Sequence, residues 1–106
     1  MTTAAPAAEA TALLSLAGMH SLMTDAQRAG QTCPWCNETT GESGIDLGER
    51  HLPDMGTIHP VACRSCVASR AREDYAAHCR TCVRCHYREE CAPRLLLRRL
   101  ALETRR

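Results

Sequence analysis

Six of the eight cysteines in this 106-residue chain fall between Cys63 and Cys91, and the other two sit in the run Cys33-Pro34-Trp35-Cys36. So dense a thiol pattern admits two kinds of stabilised core, one cross-linked by disulfides and one assembled on metal ions. Disulfides need an oxidising compartment. Residues 1–12 carry no Lys or Arg and place Glu9 where a secretory signal requires an apolar run, and the apolar patch from Leu13 to Ala17 is too short to cross a membrane. The expectation is therefore a reduced, cytoplasmic protein with no membrane association, whose paired C-x2-C units are metal ligands.

Composition makes the same demand from another side. Phe is absent, and there are one Trp and two Tyr, so the side chains that bury most area per residue are nearly missing. A chain of this length forms one domain at most. Tetrahedral zinc sites supply roughly 10–16 kcal/mol of apparent folding free energy each at neutral pH. Eight cysteines divide into two sets of four, and two Zn2+ ions are expected.

Residues 1–8 hold only Met, Ala, Thr and Pro and read as a disordered tail. Over residues 9–30, Ala12, Leu16, Met19, Met23 and Ala26 recur on one helical face, predicting an N-terminal helix that Gly30 stops. Residues 31–106 read as a double zinc-binding domain. Cys33 to Cys36 forms a tight knuckle in which Pro34 fixes the backbone and both sulfurs converge on one ion. The same four residues suit a redox dithiol only between a strand and a helix, whereas a turn-rich stretch, Asn37 to Gly44, follows here. Ile45 and Leu47, then Ile58 and Val61, alternate with polar residues on either side of the turn cluster Leu52 to Gly56, which predicts a short β-hairpin. Cys63 and Cys66 complete the first ligand set, and the Gly- and Pro-free run from Val67 to about Arg80 is a predicted helix.

The second cluster follows from the register of that helix. At ~100° per residue, Val67, Ala71, Tyr75, His78 and Cys82 share a face, while Cys79 lies to its side. His78 and Cys82, at i and i+4, point the same way, as metal ligands on a helix do. Cys82, Cys85 and Cys91 supply three thiolates, and the fourth ligand is His78 or Cys79: thiolate is the better zinc donor, and His78 has the better direction. His20, His51, His59 and His86 are read as ordinary histidines. Beyond Cys91, Pro93 opens a helix to about Thr104 with Leu96, Leu97, Leu100 and Ala101 on one side and Arg94, Arg98 and Arg105 on the other.

Charge is split along the chain. Residues 1–62 carry two Arg against seven acids, a balance of −5, and residues 63–106 carry eleven Arg against five acids, a balance of +6. The positive half, with Arg94, Arg98 and Arg105 on one stripe, suits nucleic-acid phosphates or an acidic protein. Base stacking is not expected with so few aromatic side chains. Leu95 and Leu102, outside the main apolar face of the last helix, are spare apolar surface that suits a protein interface.

Family resemblances extend this reading. A knuckle, a hairpin and a second C-x2-C at the start of a helix is the order of a treble-clef zinc finger, which residues 33–80 resemble; residues 78–106 then form the second metal cluster and its helix. The layout of C-x2-C, Gly-Ile-Asp-Leu-Gly, Val-Ala-Cys-Arg-Ser-Cys and His-x3-Cys-x2-Cys-x5-Cys before a Leu/Arg helix is similar to short cysteine-rich proteins of actinobacteria and their phages. The segment from Cys82 to Cys91 is similar to the C-x2-C-x5-C end of WhiB-like iron–sulfur regulators, although no Gly-Trp-Gly turn follows Cys91; it implies an iron–sulfur cluster on Cys79, Cys82, Cys85 and Cys91 as the alternative second cofactor. His78-x3-Cys82-x2-Cys85 also resembles a motif of zinc-containing anti-sigma factors. His51-Leu52-Pro53 resembles the first element of HNH nucleases, but no Asn lies between His51 and Cys63.

The fold expected is thus a small metal-stabilised α+β unit, a treble-clef-like zinc finger with flanking N- and C-terminal helices. The function expected is a non-enzymatic regulatory module that binds DNA or a protein of the transcription machinery. A redox-responsive iron–sulfur regulator and a degenerate HNH-type nuclease are the alternatives. Homodimerisation through the terminal helices is a further expectation.

Overall fold

A computed structural model describes residues 8–16, 23–52 and 56–104. In chain order the elements are helices α1 (Ala8–Thr11) and α2 (Asp25–Arg28), strands β1 (Ile45–Asp46), β2 (Arg50–Leu52), β3 (Gly56–Ile58) and β4 (Val61–Ala62), and helices α3 (Arg64–Thr81), α4 (Val83–His86) and α5 (Ala92–Thr104). No helix among the described residues is long and apolar enough to cross a membrane.

Where one helix is expected over residues 9–30, the described residues hold two short helices, with non-helical backbone over residues 12–16. The reason lies in hydrogen bonds that periodicity does not reveal. The guanidinium of Arg50, on β2, donates to the carbonyls of Thr11 (2.8 Å), Leu14 (2.9 Å) and Leu47 (3.1 Å), so the hairpin holds the chain where α1 ends in a tight turn, the Leu14 N–H also donating to Thr11 (3.2 Å). The Ser15 N–H then turns to the carboxylate of Asp74 on α3 (3.1 Å). A new helix starts at a capping box: the Thr24 hydroxyl accepts from the Gln27 N–H (3.2 Å) and the Gln27 side chain accepts from the Thr24 N–H (2.8 Å). Of the predicted stripe, Leu16 and Met23 are buried, Ala12 is exposed, and Met19 lies outside the described residues, as do residues 1–7 of the tail expected over 1–8, whose last residue, Ala8, opens α1.

Gly30 does end α2, with φ of +82° just past the C-cap Ala29. A β-carbon there would sit 2.6 Å from the carbonyl oxygen of His59. The chain runs this close to the hairpin because the His59 N–H donates to the Arg28 carbonyl (3.0 Å).

The expected single hairpin is divided into two ladders, β1 with β4 and β2 with β3, both antiparallel. Gly48, at φ +81°, donates its N–H to the Asp46 carboxylate (2.8 Å), and this local turn lifts the strand out of register. Opposite it stands Pro60, which has no N–H to donate, although its carbonyl accepts from Leu47 (3.0 Å). Ile45 and Leu47 nevertheless face inward together, as alternation requires.

Helices α3 and α5 pack against each other and share the core with the hairpin. Leu14, Leu47, Ile58, Val67 and Leu100 are fully buried, with Trp35, Tyr75, Cys63 and Cys66 at the edge of the same cluster. α3 begins three residues before the predicted Val67, because Cys63 is held in extended conformation (φ −73°, ψ 152°) as its N-cap. The result is a small α+β unit with two groups of Cys and His side chains that could hold metal ions.

Candidate metal centres

The first group is Cys33, Cys36, Cys63 and Cys66, whose sulfurs all lie within 4.8 Å of one another. Its first two members sit in a knuckle closed by backbone bonds: the Cys33 N–H donates to the Glu38 carbonyl (2.8 Å) and the Asn37 N–H to the Cys33 carbonyl (2.9 Å). Asn37 makes the reversal at φ +61°, a conformation its short polar side chain tolerates, and Thr32 pairs with Thr39 across the base. The other two come from the start of α3, where the positive end of an 18-residue helix favours thiolates. Cys36 and Cys63 stand 3.6 Å apart, sulfur to sulfur. A tetrahedron with metal–sulfur bonds of ~2.3 Å has edges of about 3.8 Å, whereas a disulfide requires about 2.0 Å. All eight cysteines are free thiols.

The second group is His78, Cys82, Cys85 and Cys91, again within 4.8 Å of one another. His78 projects from the last turn of α3, Cys82 ends α3 and caps α4, Cys85 lies in α4, and Cys91 precedes α5. His78 Nε2 is 3.1 Å from the Cys91 sulfur, and the Cys82 and Cys91 sulfurs are 3.9 Å apart. The group thus joins three helices at one point. Cys79, half-buried beside His78, is not a member of it.

Thiols held this close cannot all ionise in the absence of a cation. Burial works to raise Cys63, but hydrogen bonds from the Ser65 hydroxyl, the Cys66 N–H and the neighbouring thiols prevail and hold it down at about 6. Burial together with Cys63 and Cys36 drives Cys66 far above the ordinary thiol range. The backbone hydrogen bond at Glu38 favours a Cys36 thiolate, yet burial and the adjacent thiols leave it raised. In the second group the backbone N–H of Cys85 lowers Cys82, while desolvation and the sulfurs of Cys82 and Cys91 push Cys85 up to about 12. In each group one thiol is favoured as the thiolate, Cys63 or Cys82, and an adjacent one, Cys66 or Cys85, is pushed up against it. A divalent cation removes the conflict, because it stabilises every thiolate at once.

Two side chains that the sequence pattern did not single out support this architecture, and the first of them braces the knuckle. Gln27 is buried and, besides closing the capping box, donates to the carbonyls of Cys33 (3.0 Å) and Pro34 (3.3 Å), so α2 grips the knuckle backbone from behind. The signal was present as Thr24-x-x-Gln27. Arg50 is the other, and no local pattern announces it. Arg70 adds a third support, its guanidinium 5.6 Å above the Trp35 ring in the knuckle.

The remaining histidines stand elsewhere. His51, on β2, pairs with Thr57 across the hairpin, its Nδ1 3.3 Å from the Thr57 hydroxyl. His59 is exposed, and His86 meets Tyr87 edge-on; His20 lies outside the described residues. On α5, Arg94 is half-buried and Arg98 exposed, while Arg105 lies outside the described residues. Compared with protein-family models, curated proteins and solved structures, the chain matches none.

Proposed function

We propose that this chain is a non-enzymatic zinc module of regulatory type. Cys33, Cys36, Cys63 and Cys66 hold one Zn2+ in a treble-clef arrangement, and His78, Cys82, Cys85 and Cys91 hold a second that staples α3 to α5. The observation that carries this reading is the closure of both groups: each offers four protein ligands within 4.8 Å, which fills a tetrahedral zinc shell. Catalytic zinc keeps a coordination position open for water or substrate, and a four-ligand set leaves none. A histidine in the second group, with Cys79 outside it, favours zinc over the all-cysteine shell of most iron–sulfur clusters.

The surface so built belongs to a protein that binds DNA or a component of the transcription machinery in the cytoplasm. The protein partner is favoured by the exposed Leu95 and Leu102 on α5. A DNA partner is favoured by Arg94 and Arg98 on the same helix and by the positive balance after residue 62. The two separate by salt. Duplex DNA binding must weaken with salt, and replacing Arg94, Arg98 and Arg105 by Ala must flatten the log–log slope by about 0.9 for each phosphate that is no longer neutralised. A chain that ignores duplex DNA at low salt, yet binds a purified polymerase or sigma subunit, is a protein adaptor. Binding to none of these refutes the regulatory reading.

A further inference from the structure

Helix α5 has two apolar faces, and the fold uses one. Leu97, Leu100, Ala101 and Thr104 are buried against the rest of the molecule. At ~100° per residue, Leu95 and Leu102 lie about 160° from the centre of that face, and they are 45% and 46% exposed. They stand one heptad apart, a spacing of ~10.5 Å along the axis. Arg98 and Arg99 fall about 50° to either side of them; Arg98 is exposed, and the Arg99 side chain is 76% exposed, with an ion pair to Glu103 at 2.7 Å. The outer surface of α5 thus carries a seam of two leucines one heptad apart with one arginine to either side, Arg98 and Arg99.

We infer that this seam is a docking site for an acidic amphipathic helix, one with leucine-sized side chains at heptad spacing flanked by Glu or Asp. The half-exposure of the leucines decides the shape of the occupant. Two half-exposed leucines one heptad apart match the seam spacing of another helix, and they offer too little apolar area to insert into a lipid surface. Charge decides its sign. Arg99 is already paired with Glu103, whereas Arg98 makes no ion pair among the described residues; a second copy on this seam would bring two such Arg98 side chains together, and acidic flanks would neutralise them. Duplex DNA would satisfy the arginines but strand both leucines against phosphates. An interface resting on two leucines is smaller than the ~800 Å² per partner of stable complexes, so it is of the weak, regulated kind.

The inference rests on the reading of the chain as a metal-stapled binding module, and one experiment separates the two. A fluorescein-labelled helical peptide of three heptads, with Leu on the seam and Glu beside it, is titrated with the full chain as purified, and metal content is measured on the same sample. The expected dissociation constant is on the order of 10 µM. It weakens at least about tenfold in L95S/L102S, whose changes face solvent, and also in R98E/R99E; an otherwise identical peptide with Lys flanks restores binding to R98E/R99E. Binding that is absent up to ~500 µM, or indifferent to the leucines, overturns the docking site. So does leucine-dependent dimerisation in sedimentation, or leucine-dependent binding to anionic vesicles or duplex DNA without peptide binding. A chain with two bound metals that ignores the peptide refutes the seam alone. One without metal that still binds through the leucines refutes the module reading and keeps the seam.

Discussion

Replacing Gln27 with Leu keeps a buried side chain of similar size and removes three hydrogen bonds. The loss is unequal among them. The Cys33 carbonyl keeps the Asn37 N–H (2.9 Å), so its share is the net value of one bond, about 1 kcal/mol. The Pro34 carbonyl loses the amide that reached it at 3.3 Å in a buried setting, at about 1–2 kcal/mol. The capping box opens as well, but Thr24 is exposed and water replaces part of that loss, leaving about 0.5 kcal/mol. The total is about 3 kcal/mol, or roughly 150-fold in an equilibrium constant. Because ligand positioning and folding are coupled, this appears as weaker metal binding by the knuckle group. The assay is chelator competition read by cysteine alkylation and peptide mass mapping, which scores the two groups separately. Cys33, Cys36, Cys63 and Cys66 are expected to lose protection at roughly 100-fold lower chelator activity, while Cys82, Cys85 and Cys91 shift less than about threefold. Equal shifts in both groups, or none in the first, would refute the assignment of Gln27 as the brace of the knuckle.

The other predictions concern the supports and the second group. Arg50→Ala releases the Thr11, Leu14 and Leu47 carbonyls at once and is expected to cost about 2–3 kcal/mol in denaturant unfolding, with Lys a poor substitute because it lacks the fork geometry; a wild-type midpoint would contradict the clamp. Gly30→Ala meets the His59 carbonyl at 2.6 Å in a left-handed backbone and is expected to cost more than about 1 kcal/mol, read as a lowered denaturant midpoint. Cys79→Ser is expected to leave two metal ions per chain, whereas His78→Ala loses one; the reverse pattern would move the fourth ligand to Cys79. Acidification is expected to release both ions, since every bound thiolate must regain a proton as the metal leaves, and metal retention unchanged through mild acid would count against thiolate ligation.

How much of this was legible in the sequence follows the range of each interaction. The ligand groups and the long helices are written locally, in C-x2-C spacing, in a Gly-free run and in the apolar stripe of Leu97, Leu100 and Ala101. The N-terminal segment is not, because the turn after its first helix is held by Arg50, 36 residues beyond Leu14, and no window of periodicity sees that far. The choice between His78 and Cys79 depended on which side chain faces Cys91, a matter of how α3 ends at Cys82. The division of the hairpin had a local sign in Asp46-x-Gly48, whose turn competes with the ladder.

The central claim is that two groups of four side chains each close on one zinc ion. Elemental analysis and an absorbance spectrum of protein purified without oxygen test it most directly. Two zinc ions per chain in a colourless protein, lost together with cooperative unfolding on chelation, is the predicted result. Iron with absorbance near 400 nm, or a metal-free chain that still melts cooperatively, would contradict it.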